Sequence, residues 1–310
     1  MMRISSTALP ILNCRQVVPL QCQLPLSTMA HSRAALKELA ELAGFWGPVD
    51  ALHKFCEPAY SSTEYVAELY NSLGSLCTYV VAALCGLHAT RGMGWQVRCG
   101  WWSLLLVGMG SSAFHATMRY HTELLDEIPM LLLMSCSLIA KESAHPKARS
   151  PRAAMLLILG VSAGFGALVT AYLVTRIFGL FVTGFTGMVL ADIYAGATSQ
   201  TQATGSFGCF KRATAAIVVA RVFWELENHT CAFAPWVWPF HNVWHCLSCI
   251  AAYYQLGFCY YYRLERLGAR GVYGYQHGVE CKGIDGVPSL VFCPRAWRDE
   301  IVAQWKSKKG

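Results

Sequence analysis

The chain has 310 residues, of which 55% are hydrophobic and only 14% charged, and its mean hydropathy is +0.36. Soluble domains carry about 25% charged residues, so a soluble enzyme with a solvated surface is excluded, and so is a disordered chain. A polytopic membrane protein remains. The net charge is +7, and residues 263–310 hold nine Lys/Arg against five Asp/Glu. A nucleic-acid-binding surface needs a folded polar domain around its cations. A basic tail behind an apolar body offers none, so no nucleic-acid partner is expected and the tail reads as an orientation signal.

Residues 1–37 contain Arg3, Arg15, Arg33 and Lys37 and no acid, the composition of a leader or a disordered extension. Residues 38–65, with GFWGPVDALHKFCEPAY, read as an aromatic, turn-rich cap on the lumenal or outer side. From 66 to 262, apolar runs of roughly the 20 residues that cross a bilayer recur at 66–89, 99–118, 124–141, 153–174, 177–197, 213–228 and 236–262. The sixth is interrupted by Arg221, Glu225 and Glu227. The fold class expected is therefore an all-α integral membrane protein with seven transmembrane helices, followed by a basic tail over 263–310. The fourteen cysteines show no paired CxxC spacing, which argues against a zinc ribbon or a disulfide-framed mini-protein. Cys246 and Cys249, inside an apolar run, read as filler.

Loop charges orient the spans. With seven spans, one side carries Arg91, Arg98, Lys141, Lys147, Arg149, Arg152, Lys211 and Arg212, and the other only Arg119 and Arg176. That bias puts the C-terminus in the cytosol.

Ionisable groups inside spans are costly and mark functional sites. His115 and Ser111 sit toward the end of the second span, Asp126 and Glu127 open the third, and His241 and His245 open the seventh. Alternating directions bring these three places to one depth. A spacing of four stacks the imidazoles of His241 and His245 on one helix face, as in a metal-binding pair whose third ligand comes from elsewhere, and His115 is the candidate third. Three imidazoles with an open position describe a catalytic zinc site. Asp126 could then accept the water's proton or orient a ligand histidine, and Ser111 could donate to a developing oxyanion. Each residue also has a plainer reading. A histidine in an apolar helix can be a packing residue, an acid at a helix start can be a cap, and a serine can line a helix contact. A Ser111–His115–Asp126 triad would leave His241 and His245 unused, and a diiron desaturase would need adjacent His-His pairs, which are absent. His31, His53, His88, His121, His145, His229 and His277 have no helical partner and read as surface or loop residues.

At several of these residues the chain resembles the alkaline ceramidase family, part of a seven-span hydrolase group that includes adiponectin-receptor-like proteins and GPI-remodelling lipases. The resemblance runs from about Gly44 to Tyr262. It rests on GFWGP followed by Cys56, Glu57 and Tyr60, on YVAELYN (Tyr65–Asn71), on Gly110–His115 with LLDEIPM (Leu124–Met130), and on HNVWH (His241–His245). It implies hydrolysis of the amide of ceramide, a lipid substrate taken from the bilayer, to a sphingoid base and a free fatty acid. It also implies an intramembrane zinc held by His115, His241 and His245, with Asp126 and Ser111 in the catalytic roles given above. Rival readings are an ester-cleaving lipid hydrolase of the same group and a non-enzymatic, receptor-like member with structural zinc. The family's D-W-C-E-x-N-Y calcium segment reads here as Lys54, Phe55, Cys56, Glu57, Pro58, Ala59 and Tyr60. Glu57 and Glu68 remain, but Lys54 and Ala59 replace expected ligands. Calcium takes six to eight oxygens, so the calcium site is expected to be missing, with Lys54 a candidate partner for Glu57 or Glu68. Cys56 and Cys231 both fall on the lumenal side, where disulfides persist, and are expected to pair. Lys306 and Lys308 give the tail the K-x-K-x-x form of a cytosolic retrieval signal, pointing to retrieval machinery as a partner and to the endoplasmic reticulum or Golgi.

Overall fold

A computed structural model describes residues 44–90, 95–143, 150–198 and 205–266. The leader-like residues 1–37 and residues 267–310 of the basic tail, with Lys306 and Lys308, lie outside these residues, as do Arg91, Lys147 and Arg149 among the loop cations, while residues 263–266, expected in the tail, continue the last helix. Among the described residues the regular structure is helical, with two isolated bridges, Gly44 to Gly47 and Thr63 to Val66, and no strand. The long helices are α1 (Leu69–Ala89), α2 (Trp95–Thr117), α3 (Tyr120–Glu142), α4 (Pro151–Thr175), α5 (Phe178–Thr198), α6 (Gly205–Thr230) and α7 (Phe240–Arg266). α1, α5 and the Arg152–Thr175 part of α4 are long and apolar enough to cross a membrane. In α3 the charged residues Glu123, Asp126, Glu127 and Lys141 are buried, as are His115 in α2, Glu227 in α6 and His241 and His245 in α7. Exposure is inverted relative to a soluble protein: Lys141 and Glu123 are buried, whereas Leu156 is 66% and Val174 79% exposed, as expected of surfaces turned to lipid.

Local chemistry fixes the helix ends. The carboxylate of Glu57 accepts hydrogen bonds from the backbone N–H groups of Tyr70 (2.8 Å) and Asn71 (2.9 Å), satisfying donors that the first turn of α1 leaves free and placing a carboxyl at the positive helix end. Burial pushes this carboxyl up from its usual range, against those two bonds. α4 starts with the Ser150 hydroxyl accepting from the Ala153 N–H and with Pro151 in the first turn, a position that needs no donor. α2 and α3 form one hairpin and α6 and α7 another, α5 packs on α3, and α1 lies against α2 and α7. Gly110 allows the first hairpin: a Cβ there would meet the Leu125 carbonyl oxygen at 1.8 Å, so no other residue permits this backbone approach.

Residues 44–68 cover the end of the bundle where these hairpins turn. The Met118 carbonyl accepts from Asp50 and Ala51, Arg119 pairs with Asp50 at 3.0 Å, and Glu123 accepts from the backbone N–H groups of Leu52 and His53. A Cys56–Cys231 disulfide joins this segment to the α6–α7 connection. Lys54 is exposed and forms no ion pair with Glu57 or Glu68, correcting the expectation that its ammonium would serve them. The start of α1 occupies Glu57 and a histidine occupies Glu68. Lys141, counted above among loop cations, is fully buried in α3, with its ammonium 2.5 Å from the Asp192 carboxylate and donating to the Asp192 carbonyl at 2.7 Å. An internally neutralised lysine carries no orientation signal, so it leaves the tally, which keeps its sign.

Candidate metal centre and active site

The end of α2 and the start of α7 meet beneath the cap. His115, His241 and His245 are buried to 2% exposure or less, and one ligating atom from each lies within 4.8 Å of the others. Their ring centroids are 4.4 to 5.0 Å apart. His115 Nδ1 is 2.7 Å from Glu68 Oε2, and His241 Nδ1 is 3.1 Å from Glu227 Oε2. Carboxylates behind ligand histidines fix ring orientation and raise ligand basicity. His245 Nε2 lies 3.4 Å from the Ser75 hydroxyl. Buried nitrogens normally find partners, yet His115 Nε2 and His245 Nδ1 are buried without one. Converging, unpartnered imidazoles with carboxylate support fit a metal ion: these three residues could hold one.

Asp126 and Ser111 face the same space. Together with His53, Phe55, His241 and His245 they line one cavity. The hydroxyls of Ser111 and Ser75 are 3.0 Å apart, and Asp126 is buried beside Ser111. Glu127, adjacent to Asp126, is engaged by the Tyr172 hydroxyl. A second cavity shares Tyr79, Val107, Met130 and Phe185 with the first and has mostly apolar walls, including Leu104, Leu133, Val189 and Ile217. A polar, histidine-lined chamber therefore adjoins a hydrocarbon-lined one.

Glu68 and Glu57 do not act as a pair here. Glu57 caps α1, while Glu68 supports His115 and accepts from Asn71 Nδ2 at 3.0 Å. Three side chains at this site escape the sequence reading. Glu227 stands out there only as an interruption of the sixth span, although the cost of a carboxylate in a span is the signal that marks it. Ser75 carries no sequence signal. It is the last residue before a π-helical turn over Leu76–Val80, a local widening that recurs at functional sites. His53 lies on a loop, as expected, but its ring is turned inward, stacked on Phe178 at 4.5 Å, and burial lowers its basicity.

Sequence comparison bears on this geometry. The family model described as Ceramidase matches residues 47–281. An alkaline ceramidase of Arabidopsis thaliana is 25% identical over 236 residues, covering 73% of this chain and 89% of the plant protein. Alkaline ceramidase 3 of Mus musculus is 34% identical over 89 residues, 28% of this chain and a third (33%) of the mouse protein. Alkaline ceramidase YPC1 of Saccharomyces cerevisiae is 30% identical over 100 residues, 31% of this chain and 30% of the yeast protein. The family match takes in α1 to α7 and all three histidines, and the chain belongs to the Ceramidase family.

Proposed function

We propose that this chain is a zinc-dependent amidase that hydrolyses ceramide to a sphingoid base and a free fatty acid. The observation that carries the reading is the buried triad of His115, His241 and His245, two of whose rings are backed by carboxylates. The names of the relatives, alkaline ceramidases, supply the substrate class. Imidazole ligands suit zinc. Held by these residues, zinc would supply a Lewis acid for the amide carbonyl and a nucleophilic water near neutral pH.

The remaining chemistry belongs to the chain. Asp126 takes a proton from the attacking water and returns it to the leaving nitrogen, so the hydroxyl ends in the fatty acid and the proton on the amine. The Ser111 hydroxyl donates to the oxygen on which negative charge develops. Glu68 and Glu227 hold His115 and His241 in one tautomer and orientation. The apolar chamber takes hydrocarbon while the amide sits among the polar groups. α1 to α7 are proposed to span the bilayer, with the cap in the lumen. The tail is then cytosolic, and its Lys306/Lys308 signal keeps the protein in the endoplasmic reticulum or Golgi.

The test is a product assay of the purified protein in lipid nanodiscs, given ceramide and phospholipid separately. Ceramide should yield base and fatty acid, chelation should abolish turnover, zinc should restore it, and His241→Ala should be inactive yet folded. Turnover of phospholipid but not ceramide would refute the substrate. Full activity after complete metal removal would refute the mechanism.

A further inference from the structure

His53 belongs to the cap, not to the histidine triad, yet it lines the chamber that contains Ser111, Asp126, His241 and His245. Its placement is tightly determined. The backbone N–H donates to Glu123 Oε1 at 3.0 Å, and the ring stacks on Phe178 at 4.5 Å with an interplanar angle of 10°. Trp224 lies 5.9 Å away on a near-parallel plane, and Phe55 meets the ring edge-on at 4.7 Å. Phe55 in turn lies 3.8 Å from the His241 ring. These two separations keep His53 close to the metal-facing groups. Asn228 sits beside the ring, whereas Nε2 is buried without a hydrogen-bond partner.

A buried, unpaired imidazole nitrogen costs free energy unless something bound to the protein satisfies it. An aromatic slot alone would be filled better by phenylalanine, which packs the same surfaces without a polar atom to desolvate. The group that fits is a hydroxyl, because it donates to an unprotonated ring nitrogen and accepts from a protonated one. We propose that His53 is a specificity-determining residue that hydrogen-bonds, through Nε2, one of the hydroxyls flanking the amide in the sphingoid base. This rests on the ceramidase reading of the site, because amide lipids of that class carry hydroxyls next to the scissile bond. His53 then contributes recognition, while Asp126 and Ser111 serve the chemical step.

The test compares substrates as well as variants. Initial rates are measured for ceramide, for 1-deoxyceramide and for a ceramide whose 3-hydroxyl is removed, using wild type, His53→Phe and His53→Gln. The phenylalanine preserves stacking on Phe178, and the glutamine retains a hydrogen-bonding terminus. The wild type should prefer ceramide over one of the two analogues by about ten- to a hundredfold in kcat/KM, the size expected when a buried partner is left unpaired. That analogue identifies the hydroxyl contacted. His53→Phe should bring the ratio for that analogue close to one, and His53→Gln should leave an intermediate ratio. A purely structural role would lower all three rates together and leave the ratios of the wild type intact, which would overturn the proposal. So would a wild type that turns over all three lipids equally. A wild type that cleaves none of them refutes the ceramidase reading itself, and this inference with it.

Discussion

Glu227 gives the sharpest test of how the site is built, because its carboxylate does two jobs. Oε1 accepts from the Cys56 backbone N–H at 3.0 Å and Oε2 faces His241 Nδ1 at 3.1 Å, and the residue is 2% exposed. In Glu227→Gln, one terminal oxygen remains and an NH2 donor takes the other place, so either Cys56 or His241 meets a donor instead of an acceptor. A hydrogen bond to a charged group contributes about 1.5–3 kcal/mol, and loss of a carboxylate behind a ligand histidine weakens metal binding about 10- to 100-fold. The assay is zinc affinity by competition with a chromophoric chelator, measured beside thermal unfolding in the same detergent. Glu227→Gln should bind zinc at least tenfold more weakly while still unfolding cooperatively. A zinc affinity within twofold of wild type would refute the assigned role of Glu227 in holding His241.

Asp126→Asn should lower kcat about 10²- to 10⁴-fold with zinc content unchanged, whereas a parallel loss of zinc would make Asp126 a ligand support instead. Lys141→Met leaves the Asp192 carboxylate buried without its partner and should cost about 3–5 kcal/mol. Lys141→Met combined with Asp192→Leu should recover most of the thermal stability lost, and failure to recover would mean that the pair is needed for more than mutual neutralisation. Cys231→Ser removes a cross-link between residues 175 apart in sequence and should lower stability by about 2–5 kcal/mol, read as a fall in the melting temperature that reductant reproduces in the wild type. Replacing Lys306 and Lys308 by serine should move a tagged protein beyond the endoplasmic reticulum by microscopy, and an unchanged distribution would dismiss the retrieval reading.

Much of this arrangement is legible in the sequence because a bilayer constrains helices so strongly. Apolar runs of roughly span length place most helices of the bundle to within a few residues. α6 runs from Gly205 to Thr230 rather than over 213–228, because its polar ends are still paid for by backbone hydrogen bonding within the helix. Side-chain polarity is the weaker guide at those ends. His115, Asp126, His241 and His245 can be brought to one level by alternating span direction alone. The supporting shell is less legible because its partners are far apart in sequence and chemically ordinary. Glu68 meets His115 across 47 positions and Ser75 meets His245 across 170. Lys141 shows the opposite failure: a lysine at the end of an apolar run reads as a loop cation, and only the carboxylate of Asp192 on another helix explains its burial.

The carboxylates of the cap end form a connected system. Glu123 receives the cap backbone at Leu52 and His53, Glu57 holds the start of α1, Glu68 holds His115, and Glu227 holds both Cys56 and His241. The disulfide at Cys56 reinforces the same junction, since Cys231 follows Glu227 by one helical turn and its N–H donates to the Glu227 carbonyl at 3.1 Å. Docking the cap therefore orients the groups behind His115 and His241, and holding those histidines in place stabilises the docked cap by the same free energy, because coupling between binding equilibria is reciprocal. The cap closes over the chamber and also completes it, supplying from a loop the His53 ring, the Phe55 ring against His241 and the amide that positions Glu227. That connection ties the geometry of the histidine site to the folding of a segment outside the helical bundle.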